Sequence, residues 1–142
     1  MMSREDAARF LQTERIAVLA TVSPDGMPQS ALIGIAATPD FELVFDTIKT
    51  TRKYRNLAQD PRASLVIGCT ESGITLQYEG VARELRGIEM EKYRQIYFAQ
   101  WPDGTARLSW DGITYFAVRP SWIRYCNYAV EPPVLTEFTF PF

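Results

Sequence analysis

The residues best suited to chemistry lie in one short stretch, Phe45-Asp46-Thr47-Ile48-Lys49-Thr50-Thr51-Arg52-Lys53-Tyr54-Arg55-Asn56-Leu57. An apolar run, Leu43-Val44-Phe45, ends in Asp46-Thr47. Hydroxyls follow at Thr50 and Thr51, then the cations Arg52, Lys53 and Arg55. Four of the fifteen basic residues of a net acidic chain fall between Lys49 and Arg55. A helix starting at Thr50 or Thr51 would aim free backbone N–H groups and two cations at one point, which suits a phosphate. A plainer reading competes, a threonine N-cap followed by solvated charge, and composition alone favours it. Cations at a helix N-terminus oppose the helix dipole, however, which is a mild argument for an anion there.

The chain has no histidine. A Ser-His-Asp triad, a His-paired cysteine and His-based metal sites are thereby excluded. Chemistry must come from carboxylates, Lys, Tyr, Cys or a bound cofactor, and a cofactor carrying its own reactive atom fits best. Cys69 and Cys126 form no C-x-x-C pair, so neither a disulfide framework nor a zinc site is indicated. Both read as small buried hydrophobes. A net charge of −2 and a pI near 5.2 argue against nucleic acid or an anionic membrane as partner. No segment approaches the roughly 20 apolar residues of a membrane span, and the charged N-terminus lacks a signal-peptide core. A single domain over residues 1–142 in a reducing cytoplasm is expected.

The elements that must position these residues are mostly strands. Ser3 caps a first helix with Asp6 at its third position and Ala7, Phe10 and Leu11 as its apolar stripe. Ile16–Val22 reads as an apolar strand, Ser23-Pro24-Asp25-Gly26 as a turn, and 29–37 as the returning strand. A third strand covers 42–46, and the chemical segment runs into a helix over 51–58 with Tyr54, Leu57 and Ala58 on one face. Asp60-Pro61 ends it. Strands follow at 63–68 and 74–85. In the latter, apolar residues sit at even positions before Gly80 and at odd positions after it, which predicts a β-bulge there. A helix over 88–99 offers Ile88, Tyr93, Ile96 and Tyr97 for packing. Residues 101–112 read as loop, then 113–118 and 121–127 as two strands broken at Pro120. The tail carries Phe138, Phe140 and Phe142 and is too apolar for a plain disordered end. About seven strands and three short helices, mostly joined as hairpins, predict a mainly β fold, a small antiparallel barrel with attached helices.

In that order, Ile16-Ala-Val-Leu-Ala-Thr-Val, Asp25-Gly-Met-Pro-Gln-Ser, the Phe45 to Leu57 stretch, Asp60-Pro-Arg-Ala-Ser-Leu and Tyr78-Glu-Gly-Val-Ala resemble the flavin-binding split-barrel family related to pyridoxamine 5′-phosphate oxidase. The resemblance spans about residues 5 to 127. It implies an antiparallel six- to seven-stranded split β-barrel, a homodimer, and FMN in clefts between the subunits. It implies that Thr51-Arg52-Lys53 holds the flavin phosphate and that Thr47 sits near the phosphate and ribityl chain. Ser30, Ala31, Leu32 and Ile33 would run along the ring, Gln77 would reach ring or phosphate, and Trp122 or Tyr125 of the other subunit would cover the ring. Read without the family, Gln77 is a solvent-facing strand residue, and Trp101, Trp110 and Trp122 are core or interface. Asp46 closes a turn, and Glu79 and Glu84 are surface charges.

The sequence departs from the namesake oxidase. Its Arg-x-Val-Leu-Leu-Lys strand is replaced by Ser30-Ala31-Leu32-Ile33-Gly34-Ile35, and its C-terminal Arg-Leu-x-Pro is absent. The expectation is therefore an FMN-dependent oxidoreductase with a small-molecule substrate or electron donor, distinct from the true pyridoxine-phosphate oxidase. An F420-dependent reductase and a non-catalytic flavin-binding sensor are the alternatives. No catalytic acid or base is identified, and no metal is expected.

Overall fold

A computed structural model describes residues 2–69 and 71–141; the side chain of Cys69 lies outside the described part, as does Phe142. Helix α1 (Arg4–Thr13) precedes strands β1 (Ile16–Val22), β2 (Pro28–Gly34), β3 (Ala36–Ala37) and β4 (Leu43–Ile48). Helix α2 (Arg52–Gln59) leads to β5 (Arg62–Cys69) and β6 (Ile74–Glu84). Helix α3 (Gly87–Gln100) and a 3-10 turn (Pro102–Arg107) follow, then β7 (Ile113–Asn127) and β8 (Val134–Thr139). The strands pair antiparallel in the order β2-β1-β5-β6-β7-β4-β3, with β8 also on β7.

This order dictates the shape. β2 and β3 are the two ends of the strand path, yet only Ile35 separates them in the chain. One residue cannot span an open sheet, so the sheet curls until its ends meet, giving the expected split barrel. Ile35 sits at the closure, where its N–H donates to Arg15 O at 2.8 Å. The expected strand over 29–37 is thus two strands that serve opposite edges. Gly34 makes the switch possible, because a Cβ there would lie 2.8 Å from the Trp101 indole. That indole in turn donates to Ile35 O at 3.0 Å.

Alternating inward residues fill the barrel. Leu19, Ile33, Leu43, Phe45, Leu65, Ile67, Leu76, Tyr78, Phe116 and Ile123 are buried there, and Leu11 of α1 packs onto them. Phe45 and Phe116 stack with centroids 5.4 Å apart. The Tyr78 hydroxyl, buried among them, lies 2.7 Å from Phe41 O and 2.9 Å from Val118 O, sharing its one proton between the two carbonyls. A second cluster lies outside the barrel, where α3 lays Tyr93 and Tyr97 against Val44, Tyr115 and Ala117. α1 begins as its sequence signals: Ser3 Oγ accepts from Asp6 N at 3.1 Å.

Several expectations need correction. The strand irregularity falls at Glu79/Gly80 as the pattern indicated, but the extra residue belongs to the partner strand. Glu79 pairs with Trp122 and Gly80 with Pro120, leaving Ser121 unpaired. In β6 the buried positions stay even through Ala82; the parity switch is in β7. Pro120 therefore does not break the strand, since a bulge tolerates a residue with no N–H to donate. Residues 102–107 form a 3-10 turn within the expected loop. The tail forms β8, with Phe138 and Phe140 against the barrel core. Ala58 and Ile88 point to solvent; Asn56 is the buried partner of Leu57 on α2.

Candidate functional site: a basic groove at the barrel seam

The seam between β2 and β4 is covered at one end by the start of α2. Thr51 is its N-cap: Oγ1 accepts from Tyr54 N at 3.3 Å and donates to Ile48 O at 3.0 Å. Because that donation uses the Thr51 hydroxyl proton, Thr47 is the donor in the 3.0 Å bond between the two hydroxyls. The pair ties the end of β4 to the first turn of α2. The backbone N–H groups of Arg52 and Lys53 belong to that first turn, where a helix leaves its donors without intrahelical acceptors.

A second network holds α2 against the hairpin. Asn56 Nδ2 donates to Thr21 Oγ1 at 3.0 Å and to Gln29 Oε1 at 2.9 Å, and Arg52 Nε donates to the same Gln29 oxygen at 3.0 Å. Arg52 is thereby aimed along β2, and its charge meets no carboxylate of the described residues within ion-pair distance. Lys53 is half-buried, and its ammonium forms no hydrogen bond or ion pair with the described residues. Burial pulls its pKa below the ordinary lysine value, partly countered by the negative charge of Asp46. A half-buried cation without a direct partner is a costly thing to keep.

Two hollows of about 260 Å³ each meet at Lys53. One is lined by Leu19, Thr21, Gln29, Ser30, Ala31 and Arg52. The other lies between β2 and β4, with Leu32, Ile33, Thr47, Thr51, Arg107 and Trp110 on its walls. β2 is an edge strand, so its groups on the side away from β1 are free for a ligand. Ser30, Ala31, Leu32, Ile33, Thr47, Thr51, Arg52 and Lys53 are thus brought together around one groove. Gln77 and Trp122 are not: they line a separate hollow of about 350 Å³ on the outer sheet face, with Val18, Ser64, Val66 and Glu79. Tyr125 is buried beneath α1, edge-on to Phe10 at 5.7 Å, so it is not available to cover a ring in another subunit. A larger cleft, about 660 Å³, lies elsewhere, between Asp40, Glu42, Arg83 and Phe140. Its Arg83 is engaged by Glu42 at 2.9 Å and Glu89 at 3.0 Å, and it shares no residue with the groove.

Two acidic residues have larger roles than the sequence suggested. Asp46 accepts from Arg107 Nε at 2.8 Å and from the Tyr97 hydroxyl at 3.1 Å, which ties β4 to α3 and the 3-10 turn. Burial, with Asp46 next in effect, pushes the Tyr97 phenol well above its ordinary value. Glu84 is no plain surface charge: it accepts from Thr114 at 2.6 Å and Tyr54 at 3.0 Å and pairs with Arg86 at 3.0 Å. Its burial raises the carboxyl pKa, but the Thr114 and Tyr54 bonds outweigh that and hold it below the usual range. Gln29, Asn56 and Arg107 were not visible as site residues in the sequence, because their partners lie 23 to 61 positions away.

Fold and site together define a split β-barrel with a groove at its seam, where Arg52, Lys53 and the capped start of α2 come together. The chain belongs to the pyridoxamine 5′-phosphate oxidase family, whose model matches residues 3–127. A pyridoxine/pyridoxamine 5′-phosphate oxidase of Burkholderia lata is 30% identical over 107 residues, covering 75% of this chain and 48% of that protein. A second such oxidase, from Thermosynechococcus vestitus, is 36% identical over 77 residues, 54% of this chain and 36% of that protein. The chain thus spans half or less of the length of these relatives. Among solved structures, a heme-binding protein from Mycobacterium smegmatis superposes with a TM-score of 0.82 at 21% identity, covering 98% of this chain and 59% of that one. A pyridoxamine 5′-phosphate oxidase-related, FMN-binding protein from Nostoc punctiforme gives 0.67 at 14% identity, covering 98% and 93%. A structure described as an F420 reductase gives 0.66 at 21% identity, covering 81% and 93%. At these identities the structural likeness speaks for the fold.

Proposed function

We propose that the chain binds FMN through its phosphate at Lys53, Arg52 and the start of α2, and that it works as a flavin-dependent oxidoreductase. The observation that carries this is Lys53, a half-buried ammonium without a direct partner, placed beside Thr51 and Arg52 at a helix N-terminus. A phosphate there would answer the charge and accept the free N–H groups of the first turn. Thr47 and Thr51 would hold the β4–α2 corner rigid, and the open edge of β2 would offer backbone groups along the ring. Bound FMN would supply hydride and electron transfer, and the chain would supply position and a restricted slot.

The groove, read as an anion cradle, favours a monophosphate. Of the described cations lining the groove, Arg52 and Lys53 lack a carboxylate partner, since Arg107 is already paired with Asp46 and Asp103. A deazaflavin such as F420, with a longer anionic tail, would ask for more unpaired cations than the groove offers. Competition between FMN and F420 for the protein separates these readings.

A homodimer belongs to the same proposal. The outer face of the sheet carries Leu32, Val18 and Val66 side by side across β2, β1 and β5, because Val18 pairs with both. Leu32 is 71% exposed and Val66 46%, an apolar row that a monomer would leave in water. Gln77 continues the row on β6, where it pairs with Val66. Packing two copies through this face would bury the row and carry Gln77 and Trp122 of each copy toward the groove of the other.

The deciding measurement is the absorbance spectrum of the purified protein, with an FMN titration followed by flavin fluorescence. Flavin bands or micromolar uptake are expected, followed by NAD(P)H oxidation when an acceptor is supplied. Colourless protein that binds no FMN at micromolar concentration defeats the cofactor assignment. Tight binding without turnover would favour the sensor role over catalysis.

A further inference from the structure

The side chain that aims Arg52 is uncharged, and it is itself held from behind. Thr21 and Gln29 pair across β1 and β2, so both present an acceptor oxygen on the same sheet face. Arg52 and Asn56 stand one turn apart on the face of α2 that meets them. Asn56 is 3% exposed and gives one amide proton to Thr21 Oγ1 at 3.0 Å and the other to Gln29 Oε1 at 2.9 Å. With both protons placed, the Asn56 amide cannot turn over without losing two bonds. It therefore holds the oxygen of Gln29, and not its NH2 group, toward α2. Arg52 Nε donates to that same oxygen at 3.0 Å. Nε is the inner donor of the guanidinium, so the N–H bonds of both Nη groups stay clear of this network, and none of them meets another described residue.

We propose, resting on the FMN reading of the groove, that Gln29 is a positioning residue for the cofactor phosphate. It fixes the Arg52 guanidinium by its inner nitrogen before the phosphate arrives and leaves the charge and the outer donors to the ligand. Arg52 is exposed, and an exposed arginine left to itself spreads over many rotamers. Ordering it beforehand spares the binding step the freezing of a long, flexible group. An amide suits this place because it anchors the cation without neutralising it. A carboxylate at the same distance would pair with Arg52 and take the charge that the phosphate needs. Gln29, Arg52 and Lys53 line one hollow of about 260 Å³, so the positioned guanidinium and the half-buried ammonium face the same space.

The test titrates FMN and riboflavin, the same ring and ribityl chain with and without the phosphate, into the full chain and follows flavin fluorescence. Gln29→Glu keeps an acceptor for Arg52 and Asn56 but makes it a carboxylate. It is expected to weaken FMN at least about tenfold and to leave riboflavin within about twofold of the parent. Gln29→Met removes the acceptor and is expected to weaken FMN by about two- to tenfold, the share of one flexible side chain ordered on binding, again sparing riboflavin. In an Arg52→Ala background, Gln29→Met should add less than about a twofold loss, because the side chain it positions is gone. That double-mutant cycle decides by itself if riboflavin binds too weakly to titrate. Equal losses for both flavins, or a Gln29→Met loss of the same size with and without Arg52, overturn the inference; Gln29 would then only tie α2 to the hairpin or touch the cofactor directly. So does an FMN affinity that both Gln29 variants leave unchanged in a parent that binds FMN. A parent that takes up no FMN defeats the cofactor reading itself, and the inference falls with it.

Discussion

Lys53→Met separates the cost of the cradle from its use. The substitution removes an ammonium that is half-buried and without a direct partner, and keeps a flexible apolar stem of similar length. Two opposite effects follow. In the ligand-free protein, the penalty for holding a charge away from water disappears, so the variant should melt at a higher temperature than the parent near neutral pH. The sign follows from linkage: the folded-state pKa of Lys53 is lowered, so the unfolded chain holds its proton more tightly. The parent therefore gains stability as pH rises through the folded pKa toward the unfolded value near 10.5, and Lys53→Met should lose that gain. For FMN the effect reverses. A charge-assisted bond to phosphate contributes about 1.5–3 kcal/mol. At 1.4 kcal/mol per decade, the dissociation constant should rise by roughly 10- to 150-fold. Thermal melts without ligand and fluorescence titration with FMN read the two halves. Arg55→Ala is the control, because Arg55 is exposed and lies outside both hollows; it should change neither by much. An unchanged FMN affinity in Lys53→Met, or an equal loss in Arg55→Ala, would refute the assignment of the cradle.

Further tests reach other parts of the molecule. Val66→Asp places a charge in the middle of the exposed apolar row, and sedimentation should show monomer where the parent shows dimer; a parent that is monomeric at high concentration rejects the dimer proposal. Gly80→Ala should cost about 1–3 kcal/mol in chemical denaturation, since its Cβ would stand 2.3 Å from Arg119 O at the bulge. A neutral outcome would mean that the β6–β7 register can shift. Glu84→Gln should flatten the acid limb of the stability–pH curve. The folded carboxyl of Glu84 titrates below its ordinary value, so its contribution is present above about pH 4.5 and fades as pH falls through the folded pKa. An acid limb identical to the parent's would remove Glu84 from that account.

Local chemistry was legible where neighbours along the chain decide it. Ser3 and Thr51 are N-caps because their hydroxyls meet an N–H three residues on. The Ser23 to Gly26 turn forms where Pro24 and Gly26 suit it, with Gly26 at φ +87°. The irregularity falls at Gly80 as expected, yet the odd-numbered apolar residues after it mark no switch in β6, whose buried positions stay even, and could not say which strand held the extra residue. That depends on how Glu79 and Gly80 meet Trp122 and Pro120 across the ladder. Pro120 looked like a strand break for the same reason. The tail looked apolar and became β8 only because the outer side of β7 was free to pair.

The sequence by itself determined the pieces of this protein: a capped basic helix after an apolar strand, a chain without histidine, and a run of strands that joins it to a known family. Those features rest on residue type and short spacing, which a linear reading can see. Tertiary structure decided what the pieces do together. Closing the sheet through Ile35 brought β2 beside β4 and placed Lys53 at the seam, half-buried and without a direct partner. It set Asp46 against Arg107 and Tyr97, and Gln29 against Arg52 and Asn56. Those pairings depend on distances between residues far apart in sequence, so only the folded barrel reveals that the opening stretch is one wall of a groove.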